Sequence, residues 1–366
     1  MTVTPADDVR AIEVLGTEQR AAWAAGELPP VERLPAGLWS VPVPIPNNPL
    51  RYTLCYLIPG DDGLVVVDPG WEHERGWAAL TAGLAAAGAA PADVTGIVAT
   101  HIHPDHHGLS GRLREASGAW IGMHPAERDT LPQRLAAARP VEMGGMLRNW
   151  LRRGGAPEAE SAALLGGFRG DEGVRQQNVL AEPDLLLEDG DPVPLVGRQL
   201  RVIWTPGHTP GHLCLRERDA RLLLTGDHVL PRITPNVGMY PGSDAPVLAE
   251  FVDSLSKIGE YDDHDALPAH EYRFRGLRAR TRELRAHHEL RCREIADAVT
   301  ELGGPTLWQL AERLTWSRPW AEIGRMRLAA IAETTAHVRY LVDAGELTWS
   351  MPENGDAPAR LVHRRA

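Results

Sequence analysis

Residues Thr100–Gly108 read THIHPDHHG and directly follow the apolar run Thr95–Ala99, TGIVA. His101, His103, Asp105 and His106 put four metal-ligand side chains within six positions. A short buried-type run of this kind reads as a strand. Two histidines at i and i+2 in extended backbone point to the same side, so they can share one ion. Pro104 stiffens the turn that follows, and Asp105 and His106 can then reach a second ion. Imidazole and carboxylate together suit zinc, with iron or manganese also compatible.

Working outward, the same pattern of ligand after strand recurs. Asp68 ends the run VVVDPG, and Thr205–His212 (TPGHTPGH) presents His208. Thr225-Gly226-Asp227 follows RLLL, and Pro268-Ala269-His270 follows an Ala-Leu run. Ligands at the carboxyl ends of strands are where open α/β sheets place their chemistry. Tyr52–Ile58 and Gly63–Val67 read as a hairpin around Pro59–Asp62. Trp71–Ala87 and Leu109–Ser117 read as helices and Ala119–Met123 as a strand. Further strands are expected at Asp184–Leu187, Gln199–Trp204, His212–Glu217 and Ala220–Leu224, with a helix at Ala245–Ile258. Alternating elements of this kind predict an α/β fold.

Three regions fall outside that pattern. Residues 1–35 read as an N-terminal helical extension with helix over Val9–Ala25. Residues 126–179 read as a helical insertion with its own small core, or a lid, carrying Met143, Met146, Trp150 and Phe168. Residues 276–366 begin with a long Arg/Glu-rich helix at Leu277–Glu301. Helices at Thr306–Leu314 and Ile323–Ala344 follow, then strands at Glu346–Met351 and Leu361–His363. Residues 36–275 make the expected catalytic domain.

With these motifs in order, the sequence resembles a metallo-β-lactamase-fold hydrolase. HIHPDH matches the superfamily's H-x-H-x-D-H motif, and His208, Asp227 and His270 match the later ligand positions. TPGHTPGH resembles the glyoxalase II and lactonase/RNase-type branches. The C-terminal region resembles the winged-helix tail of the branch that includes β-lactamase-like protein 2. The last motif departs from P-G-H-G, reading Pro268-Ala269-His270-Glu271, which puts the loop backbone in question. The resemblance implies an αββα sandwich holding two divalent ions, zinc first, with manganese or iron as alternatives. One site would use His101, His103 and His208; the other would use Asp105, His106 and His270; Asp227 would bridge them. Asp68 would orient a ligand imidazole. Asp105, Asp227 and His212 form the expected catalytic group, although His212 sits near the pocket rather than on a metal. His107 and His124 are expected to be structural or to support the ligands. Trp150 and Met146 are the expected substrate contacts.

Two ions a few ångströms apart lower the pKa of a shared water, and the resulting hydroxide attacks a carbonyl or phosphorus. No G-x-S-x-G elbow argues for a side-chain nucleophile. A small-molecule thioester or lactone is therefore the leading substrate class. A phosphodiesterase or endoribonuclease of the same fold is the alternative, and a mononuclear-iron persulfide dioxygenase a third.

Composition narrows the partners. The 366 residues carry 38 basic and 49 acidic side chains, a net charge of −11. From Glu271 onward 16 Arg face 13 acids, so the rest of the chain carries 22 − 36 = −14. Such a surface repels polyanions, and nucleic acid is not expected as a partner. The arginines at 273, 275, 278, 280, 282 and 285 could meet an anionic substrate end or form an acid-balanced helix face. No apolar run approaches the ~20 residues of a membrane span, and no secretory signal is visible. Cys55, Cys214 and Cys292 make no disulfide framework or metal spacing, which fits a cytoplasmic protein. A homodimer is an open alternative to a monomer.

Overall fold

The computed structural model describes residues 12–137, 140–166, 181–350 and 357–364. Parts of three expected elements lie outside these residues: Val9–Ala11 of the first helix, 167–179 of the insertion with Phe168, and Met351. So does the side chain of Met143. The chain divides into two compact units. The first comprises Met1–Leu131, Asn178–Pro235 and Asp253–Leu284; the second comprises Pro132–Gln177, Asn236–Val252 and Arg285–Ala366.

The first unit is a two-sheet sandwich. Strand β1 is Glu13–Val14 and helix α1 is Thr17–Ala25. Strands β2 (Glu32–Arg33), β3 (Trp39–Pro44), β4 (Tyr52–Pro59) and β5 (Leu64–Val67) precede helix α2 (Glu74–Ala86). Strand β6 (Val94–Val98), the single turn α3 (Pro104–His107), helix α4 (Ser110–Ser117) and strand β7 (Trp120–Met123) follow, and helix α5 (Pro125–Ala137) begins in this unit. Among the described residues β2 to β7 and β8 (Leu185–Leu186) form one sheet in sequence order. Its first half is antiparallel, and β5 to β8 run parallel. The second sheet has the order β1-β13-β12-β11-β10-β9, with β9 at Leu200–Trp204, β10 at Leu213–Glu217, β11 at Leu222–Gly226, β12 at Asp265–Pro268 and β13 at Phe274–Arg275.

Strand β4 shows why the sheets stack. Leu54, Tyr56 and Ile58 join a buried cluster with Val202, Leu213, Leu215, Leu222 and Leu224 of the second sheet. Cys55 and Leu57 point the other way, into a cluster with Leu80 and Leu84 of α2 and Leu113 of α4. A strand buried on both faces reads as a continuous apolar run, as YTLCYLI does. Gly83 lets α2 lie close on β3, because a Cβ there would overlap the Val41 side chain. Pairing also sets the end at which ligands leave. Strands β5 and β6 are parallel, so Asp68 and the loop after Val98 leave at the same end. Strands β11 and β12 are parallel too, which brings Asp227 and His270 out together.

The segment read as a helical extension is more than helix. Its described part adds β1 to β13 and β2 to β3, at the edges of the two sheets. Two-residue strands carry too little alternation to register in a sequence pattern.

The second unit contains α6 (Pro140–Arg153), α7 (Glu158–Gly166), most of α9 (Leu277–Leu302), α10 (Leu307–Arg313), α11 (Arg327–Asp343) and the ribbon β14–β15 (Leu347–Ser350 with Arg360–His363). Helix α8 (Val247–Ile258) begins in it. Among the described residues the insertion's buried Leu151 and Leu164 form no separate core: they join Ile295, Trp308, Leu310, Ile331, Val338 and Leu361 in one cluster. The Trp308 backbone N–H donates to the Gly154 carbonyl at 2.8 Å, and Arg327 pairs with Glu160 at 2.6 Å. The expected boundary at 275/276 therefore gives way to one inside α9. Thr306 caps α10 in a reciprocal capping box with Gln309, a local signal worth about 1 kcal/mol. No helix among the described residues is long and apolar enough to cross a membrane.

Candidate metal centre

Two loops and two strand ends of the first unit bring seven side chains together. His101, His103, His208 and Asp227 form one group of converging donor atoms, and Asp105, His106 and His270 form another. In the first group His101 Nε2 lies 2.9 Å from His103 Nδ1. His208 Nε2 lies 3.2 Å from the same His103 atom. Nitrogens bound tetrahedrally to zinc at about 2.05 Å would sit roughly 3.3 Å apart, so this spacing fits one ion. In the second group His270 Nε2 lies 3.4 Å from Asp105 Oδ2, and His106 Nε2 lies 3.7 Å from it. Asp227 stands beside both groups. Its carboxylate is 3.7 Å from His208 Nε2, 3.5 Å from His106 Nε2 and 3.2 Å from His270 Nε2.

The surroundings fix which ring nitrogen faces inward. Asp68 accepts from the Thr100 backbone N–H and hydroxyl, both at 2.8 Å, and from His106 Nδ1 at 2.9 Å. With its proton given to Asp68, the Thr100 hydroxyl accepts from His101 Nδ1 at 3.1 Å. His270 Nδ1 donates to the Tyr52 carbonyl at 2.8 Å. Each bond leaves an Nε2 lone pair aimed at the centre, which is how outer partners prepare imidazoles for a metal. His106 Nε2, His270 Nε2 and Asp227 Oδ1 are buried without hydrogen-bond partners. Orphaned buried atoms are costly unless another ligand completes them, and a divalent cation fits this donor set.

The backbone is adapted to the same end. Asp68 has φ 53°, a left-handed conformation rare outside glycine. Its three accepted hydrogen bonds hold it there. Gly226 has φ +50°, and a Cβ at that position would meet His212 Nε2 at 2.6 Å. Glu271 also has positive φ, 69°. Its carboxylate accepts from the backbone N–H groups of Arg232 (3.0 Å) and Ile233 (3.1 Å). The departure at Pro268-Ala269-His270-Glu271 thus supports the loop beyond Asp227.

Electrostatics follow from this crowding. Burial lowers the His101 pKa well below its usual value, and the imidazoles of His106, His103 and His208 lower it further. Burial acts the same way on His106, but Asp227, Asp68 and Asp105 outweigh it and hold that pKa well above its usual value. For His270, burial is outweighed by Asp227 and Asp105, which raise the pKa to about 10. Asp105 is lowered to about 2 despite burial, by His106 and His270. Asp227 is likewise held well below its usual value despite burial, by His270 and His106, so both carboxylates are ionised. The charge that draws a proton to these imidazoles also draws a metal ion, and the two compete.

The structure places His212, a member of the expected catalytic group, behind Asp227. It is fully buried, and its Nε2 accepts from the Asp227 backbone N–H at 3.1 Å. Its Nδ1 then carries the proton and donates to Thr205 Oγ1 at 2.8 Å. One nitrogen thus holds the Asp227 backbone and the other is anchored on Thr205, so neither ring nitrogen faces the converging donor atoms. His107 bridges Ser110 Oγ and the Ala181 carbonyl, and His124 stacks on Trp204 at 5.0 Å; both are structural. Trp150 is half-buried against the second unit's core, and Met146 is 57% exposed.

The arginine run resolves mostly into structure. Arg273 pairs with Glu32, Arg275 with Asp265 and Glu13, and Arg278 with Asp262. Arg280 donates to the carbonyls of Leu230, Arg232 and Ile233. Sequence reading missed two buried residues. His228 follows Asp227, and Glu127 lies in the first turn of α5. An acid in a first turn is ordinary, because it complements the helix dipole, so no local signal marks Glu127.

Comparison with known proteins agrees with this geometry. The family model described as the metallo-beta-lactamase superfamily matches residues 48–270. The metallo-beta-lactamase family protein TTHA1429 from Thermus thermophilus is 30% identical, with 90% of this chain and 99% of that one covered and a TM-score of 0.74. The acyl-coenzyme A thioesterase MBLAC2 of Bos taurus is 36% identical over 133 residues, which are 36% of this chain and 40% of the relative. The hydroxyacylglutathione hydrolase of Francisella tularensis subsp. novicida is 34% identical over 97 residues, 26% of this chain and 37% of the relative. The chain thus spans less than half the length of either named hydrolase. The family match contains every one of the seven converging ligand-type residues, and the solved relative extends over nine-tenths of the chain: the protein belongs to the metallo-beta-lactamase superfamily.

Proposed function

We propose that the protein is a binuclear metal-dependent hydrolase that cleaves a thioester or, second, a lactone in a small molecule. The observation that carries this reading is the pair of donor groups joined by Asp227, with the inward Nε2 atoms of His101, His106 and His270 set by their outer partners. His101, His103 and His208 would hold one ion and Asp105, His106 and His270 the other, with Asp227 shared. Imidazole and carboxylate donors favour zinc, with manganese or iron next. Bound there, two divalent ions supply Lewis acidity and a water of lowered pKa.

The protein's own residues do the rest. Asp68 and Thr100 hold the imidazoles of His106 and His101 in the tautomers that face the centre. His212 and Gly226 place the Asp227 backbone, and Glu271 and Arg280 secure the loop that follows it. The thioester preference is supported by two relatives whose names describe thioester hydrolysis. It is supported also by charge: the body of the chain repels long polyanions, and four of the six clustered arginines are already engaged with carboxylates and carbonyls.

A side-by-side panel tests the reading, with an acyl-CoA, a simple lactone, bis-nitrophenyl phosphate and a labelled RNA oligomer, each with zinc or manganese added. The acyl-CoA is expected to turn over fastest and the RNA least. Faster cleavage of RNA than of either carbonyl substrate would replace the proposal with a nuclease.

A further inference from the structure

Glu127 occupies a position that the ligand set alone does not explain. Its side chain is fully buried. Its Oε2 accepts from the Ile102 backbone N–H at 2.8 Å, and its Oε1 accepts from the Gly211 backbone N–H at 2.6 Å. Ile102 lies between His101 and His103. Gly211 lies three residues after His208 and directly before His212. One carboxylate therefore ties together the two loops that supply the three imidazoles of the first donor group.

A second observation makes the fit specific. A Cβ at Gly211 would lie 2.7 Å from the Glu127 backbone nitrogen and 2.8 Å from Glu127 Cγ. The glycine of Pro210-Gly211-His212 is thus required by the close approach of Glu127. The start of α5 is held in turn, because the His124 Nδ1 accepts from the Ala126 backbone N–H at 3.1 Å and its carbonyl accepts from that of Glu127 at 3.0 Å. The link has a fixed base and two fixed ends.

We propose that Glu127 is a positioning residue for the first metal group, clamping the His101–His103 loop to the His208 loop so that their nitrogens converge on one ion. The inference rests on the binuclear reading given above. It makes a chemical distinction that packing alone does not. A carboxylate has two acceptor oxygens, and the clamp uses both on N–H donors. Glutamine has the same shape but one acceptor and one donor. In Glu127→Gln the amide nitrogen must face a backbone N–H, so an isosteric change opens one end of the clamp.

The test is metal titration of the full chain against a chromophoric chelator, with zinc as the probe, alongside thermal unfolding. Wild type is expected to bind two equivalents. Glu127→Gln should bind one equivalent about tenfold to a hundredfold more weakly, the range for a lost outer partner, and the other unchanged. Gly211→Ala should show the same selective loss, because its Cβ displaces Glu127. Arg128→Ala, at a half-exposed neighbour on the same helix, should bind both equivalents as wild type does. Unchanged affinity for both equivalents in Glu127→Gln, or equal weakening of both, would overturn the clamp while leaving the binuclear reading in place. A wild-type chain that binds no zinc would instead defeat the binuclear reading itself.

Discussion

Both units of the molecule bury histidines, and they do so in different ways. In the first, His101, His106 and His270 spend one nitrogen on an outer partner and aim the other at carboxylates and further imidazoles. In the second, His288 and His337 bond to each other: His337 Nδ1 donates to the Glu333 carbonyl at 2.8 Å, and His288 Nδ1 donates to His337 Nε2 at 3.0 Å. Among the described residues no group of three ligand-type side chains includes this pair. Burial of histidine does not by itself make a site; convergence of several lone pairs with ionised acids does.

The largest effect that would break this contrast is expected from Asp227→Ala. Removing the carboxylate beside both groups should leave at most one bound ion. Turnover should fall by more than the 10–100-fold typical of a lost outer partner. Elemental analysis and turnover on the best panel substrate check this, and full metal with full activity would return Asp227 to an ordinary turn residue. Next comes Asp68→Asn, which takes one acceptor from His106 and the Thr100 hydroxyl. Metal affinity should weaken about 10–100-fold, and the donor left without an acceptor should lower stability by about 1–3 kcal/mol; metal titration and thermal unfolding check the two.

The second unit's pair makes a prediction about pH. Burial lowers the His337 pKa to about 4, although the Glu333 carbonyl raises it, and Arg291 and His287 act with burial. Burial, His337, His287 and Arg291 lower His288 to about 2. The folded state therefore binds fewer protons than the unfolded chain below a pH of roughly 6.5. These groups contribute stability that is present above 6.5 and is lost as pH falls through 4 and toward 2, at most about 1.4 kcal/mol per pH unit for each group. Buried Glu333 is shifted upward and works in the opposite sense. Denaturation midpoints measured from pH 7 to 4 should fall less in His337→Gln than in wild type. Parallel curves would show that the pair does not titrate with unfolding.

The smallest effect is expected at Trp150. Full truncation of a buried tryptophan costs about 3–5 kcal/mol, and this half-buried ring should cost roughly half that, with metal content unchanged. A raised KM without loss of stability would restore its expected role as a substrate contact.

Much of the first unit was legible because its signals are local. The run YTLCYLI declares a doubly buried strand, and HIHPDH, TPGHTPGH and TGD announce themselves by spacing. What escaped depends on contacts distant in sequence. Glu127 meets Ile102 and Gly211, and neither pairing has a sequence period. His212 lies in a ligand-like motif, yet its direction is set by Thr205 and the Asp227 backbone. The insertion looked self-contained because its apolar residues cluster in sequence, while its core partners, Ile295 and Trp308 among them, lie more than a hundred positions on.

The central claim is that seven ligand-type side chains hold two ions through one shared carboxylate. Metal content of the purified full chain, equilibrated with zinc and freed of loosely bound ions, measures it most directly. The account predicts two equivalents per chain in wild type and no more than one in Asp227→Ala. A single tightly bound ion in wild type, unaffected by Asp227→Ala, would contradict it.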